Sequence, residues 1–179
     1  FLDVSLFDLS NTTMTLVPNA NGGYDAFSGP ATPFFPHGPV SLGLGDDDIA
    51  LRTLPAGFGA GLPFPTGATT SNITICSNGY VNLGTATFAD IAFEPASLLF
   101  YPEAPILAPF YVDLVPDLTG DVYYDVDPAG TTVYVTYDNV DTFSLGGTCN
   151  LQIVLNGNGI IEYRYGTCVG PVGDYGIVG

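Results

Sequence analysis

Residues 105–140 read PILAPFYVDLVPDLTGDVYYDVDPAGTTVYVTYDNV. Three segments in it are rich in β-branched and aromatic residues: Ile106 to Leu114, Asp121 to Val126 and Thr131 to Val140. Pro, Gly and Asp separate them, which is the pattern of an antiparallel meander. In the third segment Val133 and Val135 point one way, and Tyr134 and Thr136 the other. Asp127-Pro128-Ala129-Gly130 places Asp at i, Pro at i+1 and Gly at i+3 of a type I turn, so the second and third segments are expected to form a hairpin.

Outward from this stretch the same grammar repeats. Cys149 to Leu155 and Ile160 to Tyr165 flank Asn156-Gly157-Asn158-Gly159 as a second hairpin, and Thr13 to Val17 and Tyr24 to Phe27 flank residues 18–23 as a third. A strand is expected at Ile49 to Leu54. Asn72 to Cys76 and Tyr80 to Leu83 surround Ser77-Asn78-Gly79, where Asn-Gly predicts a type I′ turn. GPATPFFPHGP, residues 29–39, is too rich in proline for a central strand and reads as a surface crossing with Phe34 and Phe35 beneath it. Residues 55–69 form another Gly/Pro-rich bend, delivering Phe58, Leu62 and Phe64 to the core. Residues 94–100, EPASLLF, are the one expected helical turn. Gly176 to Gly179 starts a last strand. The expectation is an all-β, two-sheet antiparallel sandwich with many hairpins and at most one short helix, in a single domain over residues 1–179.

Composition supports this: 46% of residues are hydrophobic, with 23 Gly and 15 Pro, which favours short strands joined by tight turns over disorder or helices. The charge balance is far from ordinary, with 18 acids against two basic residues and a formal net charge of −16. Arg52 and Arg164 cannot build the basic footprint that a phosphate backbone or an anionic lipid surface requires, which excludes nucleic acid and such membranes as partners. Only 11% of residues are charged, so the surface must be largely Ser, Thr, Asn, Gly and Tyr, an extracellular type of surface. No signal peptide or membrane span is legible. A start at Phe1 fits either a trimmed chain or a mature, processed secreted protein.

Cys76, Cys149 and Cys168 have no zinc-ligand spacing. Folding the hairpin about Asn156 to Gly159 brings Cys149 and Cys168 together, although counting outward puts Cys149 opposite Gly166 and leaves the cysteines diagonal. A Cys149–Cys168 disulfide is expected if the strand ends deviate, with three buried free thiols as the alternative and Cys76 left over.

Several phrases occur together in order: FDLSNTTMTLVPNANGGY (7–24), LGDDDIALRTLP (44–55), LPFPTGATTSNITICSNGYVNLG (62–84), APFYVDLVP (108–116), VYYDVDPAGTTVYVTYDNV (122–140) and LQIVLNGNGIIEYRYG (151–166). Across nearly the whole chain they resemble a family of secreted bacterial proteins, common in planctomycete-like genomes and mostly of unknown function. Residues 105–166 also resemble the extracellular nidogen-like domain of adhesion and matrix proteins, with Tyr111 where such domains usually show Trp. Neither resemblance supplies a catalytic motif. What they imply is location, outside the cell or at its surface, and architecture.

The residues offer little to catalysis. There is no GxSxG elbow and no Lys, and His37 between Pro36 and Gly38 reads as an exposed loop imidazole. Among 18 acids some pair always stands at a glycosidase separation, so no pair is diagnostic. Calcium is the cofactor the sequence offers, at Asp46, Asp47 and Asp48 in one turn, with Asp113 and Asp117, or Asp125 and Asp127, as further carboxylates. The spacing is not that of an EF-hand. The bland alternative is a solvated triplet, with Asp127 capping its own turn. Tyr123, Tyr124, Tyr134, Tyr137, Tyr163 and Tyr165 fall on neighbouring strands and suggest either a glycan-binding face or a packed sheet.

The leading expectation is a non-enzymatic extracellular structural or adhesive module. Phe1, Leu2, Val4, Leu6, Phe7 and Leu9 are too apolar for a free tail, and a terminal strand of residues 1–9 can pair within its own domain or be donated to a neighbour, building a homo-oligomer or filament. The alternative is a calcium-dependent carbohydrate-binding module. A secreted glycan hydrolase is third.

Overall fold

The computed structural model describes residues 2–3, 9–63, 68–87, 105–143, 146–169 and 175–176. Among these residues fifteen strands run β1 (Leu2–Asp3), β2 (Thr12–Pro18), β3 (Tyr24–Pro30), β4 (Ile49–Thr53), β5 (Leu62–Pro63), β6 (Thr69–Thr70), β7 (Asn72–Cys76), β8 (Tyr80–Asn82), β9 (Ile106–Leu107), β10 (Leu114–Val115), β11 (Asp121–Val126), β12 (Thr132–Thr142), β13 (Thr148–Asn156), β14 (Ile161–Val169) and β15 (Tyr175–Gly176). The one helical element among the described residues is a 3-10 turn at Ala56–Phe58. The expected helical turn at 94–100, and Phe64, lie outside the described residues.

Seven strands form the larger antiparallel sheet in the order β10-β12-β13-β14-β2-β3, with β11 lying against β12 beside β10. Four form the smaller, β4-β7-β8-β9. One apolar cluster fills the space between them, drawing Ile73, Ile75 and Val81 from the smaller sheet and Val133, Val135, Leu151, Ile153 and Ile161 from the larger. Alternation on β12 and β13 dictates this, since every second residue of a pleated strand faces the same side. Tyrosine hydroxyls pin the two layers: Tyr137 donates to the Cys76 carbonyl at 2.6 Å, and Tyr165 to the Pro109 carbonyl at 3.0 Å. A buried phenol needs such an acceptor, because an unpaired hydroxyl inside the core costs about 1–3 kcal/mol.

The hairpins at 121–142 and 148–169 form as expected. Asp127 accepts from the backbone N–H groups of Thr131 and Thr132, both at 2.7 Å, and the Gly130 N–H closes the turn on the Asp127 carbonyl at 2.9 Å. Three expectations need correction. Ile106 to Leu114 is not one strand: Ile106–Leu107 joins the smaller sheet and Leu114–Val115 the larger. Pro109, with no N–H to give a ladder, breaks the run, and buried Phe110, Tyr111 and Val112 cross the core between the layers. The turn at 77–79 is not type I′. Cys76 pairs with Tyr80, making a three-residue loop in which Gly79 (φ 75°), but not Asn78, has positive φ. The cysteine register also differs by an irregularity between Cys149 and Leu151. Leu151 faces Tyr165 while Cys149 faces Cys168, so Gly166 and Thr167 together oppose Asn150. This bulge turns a diagonal pair into a direct one, with Cα atoms 4.1 Å apart and a Cys149–Cys168 disulfide. Cys76 is free and buried, and burial pushes its thiol up to about 11.

Candidate functional site: an acidic corner, a strapped sheet face and paired termini

The turn before β4 and the turn between β7 and β8 are laced together. The Ser77 N–H donates to the Asp48 carbonyl at 2.9 Å and the Asp48 N–H to Ser77 Oγ at 3.0 Å. Fully buried Asn78 extends the lacing to β10: its Nδ2 donates to Asp47 Oδ1 at 2.8 Å and its Oδ1 accepts from the Leu114 N–H at 3.0 Å. Asp47 is held in the left-handed region, φ 49°. Asp113, the residue before β10, is thereby carried to the same corner, and one carboxylate oxygen from each of Asp46, Asp47 and Asp113 lies within 4.8 Å of the others. Oxygens sharing one calcium ion at about 2.4 Å can stand at most about 4.8 Å apart, so the spacing suits a single hard cation. Burial, then the charges of Asp47 and Asp117, raise the Asp46 pKa.

Of the expected ligands, Asp46 and Asp47 belong to this corner, and so does Asp113 of the further carboxylates. Asp48 turns inward on its own loop, accepting from the Ile49 N–H at 2.8 Å and the Gly45 N–H at 3.4 Å. Asp125 and Asp127 lie elsewhere. Asp125 accepts from the Gly38 N–H at 2.9 Å, and Asp127 caps its turn.

The tyrosines divide between core and strap. Tyr137, Tyr163 and Tyr165 are buried, and Tyr124 reaches the Thr53 carbonyl at 3.2 Å. Tyr134 and Tyr123 face outward under residues 32–38, which run across the strands. The Thr32 N–H donates to Thr13 Oγ1 on β2 at 2.8 Å, and Arg164 Nη1 on β14 donates to the Pro33 carbonyl at 3.0 Å. Phe35 exchanges two hydrogen bonds with buried Gln152 on β13 and stacks on Tyr134 of β12, centroids 4.2 Å apart and planes at 6°. His37 stacks on Tyr123 of β11 at 3.7 Å, and its Nε2 lies 3.4 Å from Asp138 Oδ2. Five neighbouring strands span four gaps, ~19 Å, and six residue steps of polyproline-like chain cover about the same distance. His37 is exposed as expected, but its ring is engaged. The sequence reading missed Asn78, Gln152 and Arg164. The one available signal was that Arg164 is one of only two cations in the chain.

Of the terminal residues expected in self-assembly, Phe1, Val4, Leu6 and Phe7 lie outside the described residues. Leu2 pairs with Gly176 and Asp3 with Tyr175 in a two-stranded antiparallel sheet, β1-β15. Leu9 packs against the main core, and Asn11 at φ 59° turns the chain into β2.

A family profile described as NIDO related matches residues 23–177. The chain belongs to the NIDO-related family. The match spans β3 to β15 and so covers the smaller sheet, every strand of the larger sheet except β2, the acidic corner and the strap. No curated protein and no solved structure matches this NIDO-related chain. A nidogen-related domain is an extracellular-type module, and the Cys149–Cys168 disulfide suits an oxidising compartment. Among the described residues, no helix is long and apolar enough to cross a membrane.

Proposed function

We propose that this NIDO-related domain is a non-enzymatic structural or adhesive module of the cell exterior, joined to its neighbours by exchange of the N-terminal strand. The observation that carries the reading is that, among the described residues, β1 belongs to neither main sheet and pairs with β15 alone, through two residue pairs. A neighbour's β1 offers β15 the same backbone groups, so exchange conserves the ladder and costs chiefly association entropy. Passed head to tail, the contact does not close and gives a filament; the charge of −16 per subunit opposes growth until salt or divalent cations screen it. Deleting residues 1–9 should abolish filaments and leave a soluble, less stable protein. Filaments that survive the deletion would rule the reading out.

A second reading, a calcium-dependent carbohydrate-binding module, is favoured by the clustering of Asp46, Asp47 and Asp113. Its calcium half stands on those three carboxylates. Its glycan half needs a surface other than Tyr123 and Tyr134, whose rings carry His37 and Phe35. A glycan array probed with and without EDTA separates the two readings: binding lost on chelation favours the second, and no binding in either condition favours the first.

A further inference from the structure

Strand β3 closes one side of the larger sheet, and among the described residues no strand pairs with its outer edge. It pairs with β2 in unbroken register over seven residue pairs, from Thr12↔Pro30 to Pro18↔Tyr24. Among the described residues no backbone hydrogen bond reaches its other edge. The opposite side of the sheet is treated differently, since the Leu42 N–H donates to the Val122 carbonyl of β11 at 2.7 Å. Residues Asp25 to Ser28 are all exposed, and Phe27, at the midpoint of the strand, is 58% exposed. Sheet edges are ordinarily guarded by a bulge, a lysine or an inward charge. β3 has none of these, and only a terminal Pro30.

Charge decides what can occupy such an edge. Although the chain carries 18 acids, none falls between Asp25 and Asp46, so β3 beyond Asp25 and the strap that follows it form an uncharged stretch. A second copy of a strongly acidic protein is repelled by most of the surface but not here. The strand is also self-complementary. Antiparallel pairing about a two-fold axis at Phe27 sets Phe27 opposite Phe27, Ala26 opposite Ser28 and Asp25 opposite Gly29. The two Asp25 carboxylates then stand four residue steps apart, ~13 Å, beyond the screening length at physiological salt. Centring the axis on Asp25 instead would oppose like charges.

We infer that β3 is a self-association edge: two copies of this chain pair β3 to β3 across a two-fold axis at Phe27, continuing the larger sheet from one subunit into the next. The contact is isologous and closes at two subunits, and is independent of head-to-tail exchange of β1. An aromatic cross-strand pair at its centre buries the most exposed aromatic ring on the strand.

The test places a cysteine on the axis in the full chain. Phe27→Cys should link most of the protein into a covalent dimer on a non-reducing gel, because the two thiols face each other. Val40→Cys, at a position 79% exposed but off the edge, should stay mostly unlinked. Without oxidation, and at low salt without calcium so that head-to-tail growth is suppressed, the natural chain should elute at twice its monomer mass at high concentration, and Phe27→Asp should restore the monomer with an unchanged circular dichroism spectrum. No preferential link at position 27, or a dimer that survives Phe27→Asp, would overturn the inference whatever deletion of residues 1–9 does.

Discussion

The backbone of Phe35 and the side chain of Gln152 are joined in both directions, with the Phe35 N–H donating to Oε1 and the Phe35 carbonyl accepting from Nε2, each at 2.9 Å. The same carboxamide donates to Thr136 Oγ1 at 2.8 Å and accepts from Arg164 Nη1 at 3.4 Å. One fully buried side chain thus ties the proline-rich strap to three strands.

Gln152→Leu should therefore cost more than an ordinary core substitution of equal size. It strands the Phe35 amide and carbonyl under the strap, and leaving such groups unpaired costs about 1–3 kcal/mol each. The expected loss is about 3 kcal/mol in urea unfolding, with new proteolytic cleavage between residues 32 and 38. A variant as stable and as protease-resistant as the parent would show that the Gln152 bonds do not hold the strap, leaving its ring stacking and its bonds to Thr13, Arg164 and Asp125 to do so.

Opening the Cys149–Cys168 bridge releases a loop with a sequence separation of 19, and closure of a loop that size is worth about 3 kcal/mol through the unfolded chain. The double Cys→Ala variant should unfold at correspondingly lower denaturant, with the fold otherwise retained. Removing Cys76 alone reports on packing and should not reproduce the effect.

Acid and base should act on two aspartates with opposite signs. Backbone N–H bonds, from Thr132 first and then Thr131 and Ala129, hold the Asp127 pKa below the usual carboxylate range. Its contribution is complete above that range and is lost as pH falls through the lowered native value. Burial, then Asp47 and Asp117, raises Asp46, so its contribution is present in acid and is lost as pH rises through the raised value. Melting temperatures against pH should show Asp127→Asn flattening the acid limb and Asp46→Asn flattening the decline just above the carboxylate range.

Calcium should reverse that decline by neutralising the corner. Melting temperature should rise with added calcium and fall back with EDTA. Asp47→Asn and Asp113→Asn should each abolish the rise, while Asp48→Asn should preserve it, since Asp48 is spent on Ile49 and Gly45. Calorimetry showing no heat with calcium would remove this site.

Local chemistry was legible in the sequence where it acts within a few residues. The Asp127 turn, the hairpins at 121–142 and 148–169, the strand Ile49–Thr53 and the surface crossing expected at 29–39, apart from Gly29 and Pro30, which end β3, each follow from turn residues and alternation. Relationships set by layers were not legible. Ile106 to Leu114 has the composition of one strand, and Pro109 together with the demand that Phe110 to Val112 fill the space between sheets divides it. The cysteine register depends on a bulge at Gly166 and Thr167 that no residue type announces. Asp113, which the sequence offered as one of several further carboxylates, is singled out for the acidic corner because Asn78 bonds Leu114, a contact across 36 positions, whereas the neighbouring triplet suggested Asp48.

The assembly claim is tested most directly by splitting the β1-β15 pair between two chains. Leu2 and Gly176 are register partners, so one preparation carries Leu2→Cys and another Gly176→Cys, and the two are mixed, disassembled at low salt and reassembled with calcium before oxidation. Strand exchange predicts a disulfide joining residue 2 of one chain to residue 176 of the other, identified by mass spectrometry of the cross-linked peptides. If that link is absent from the mixture, yet forms within single chains of the double variant, β1 stays at home and the account of filament assembly is wrong.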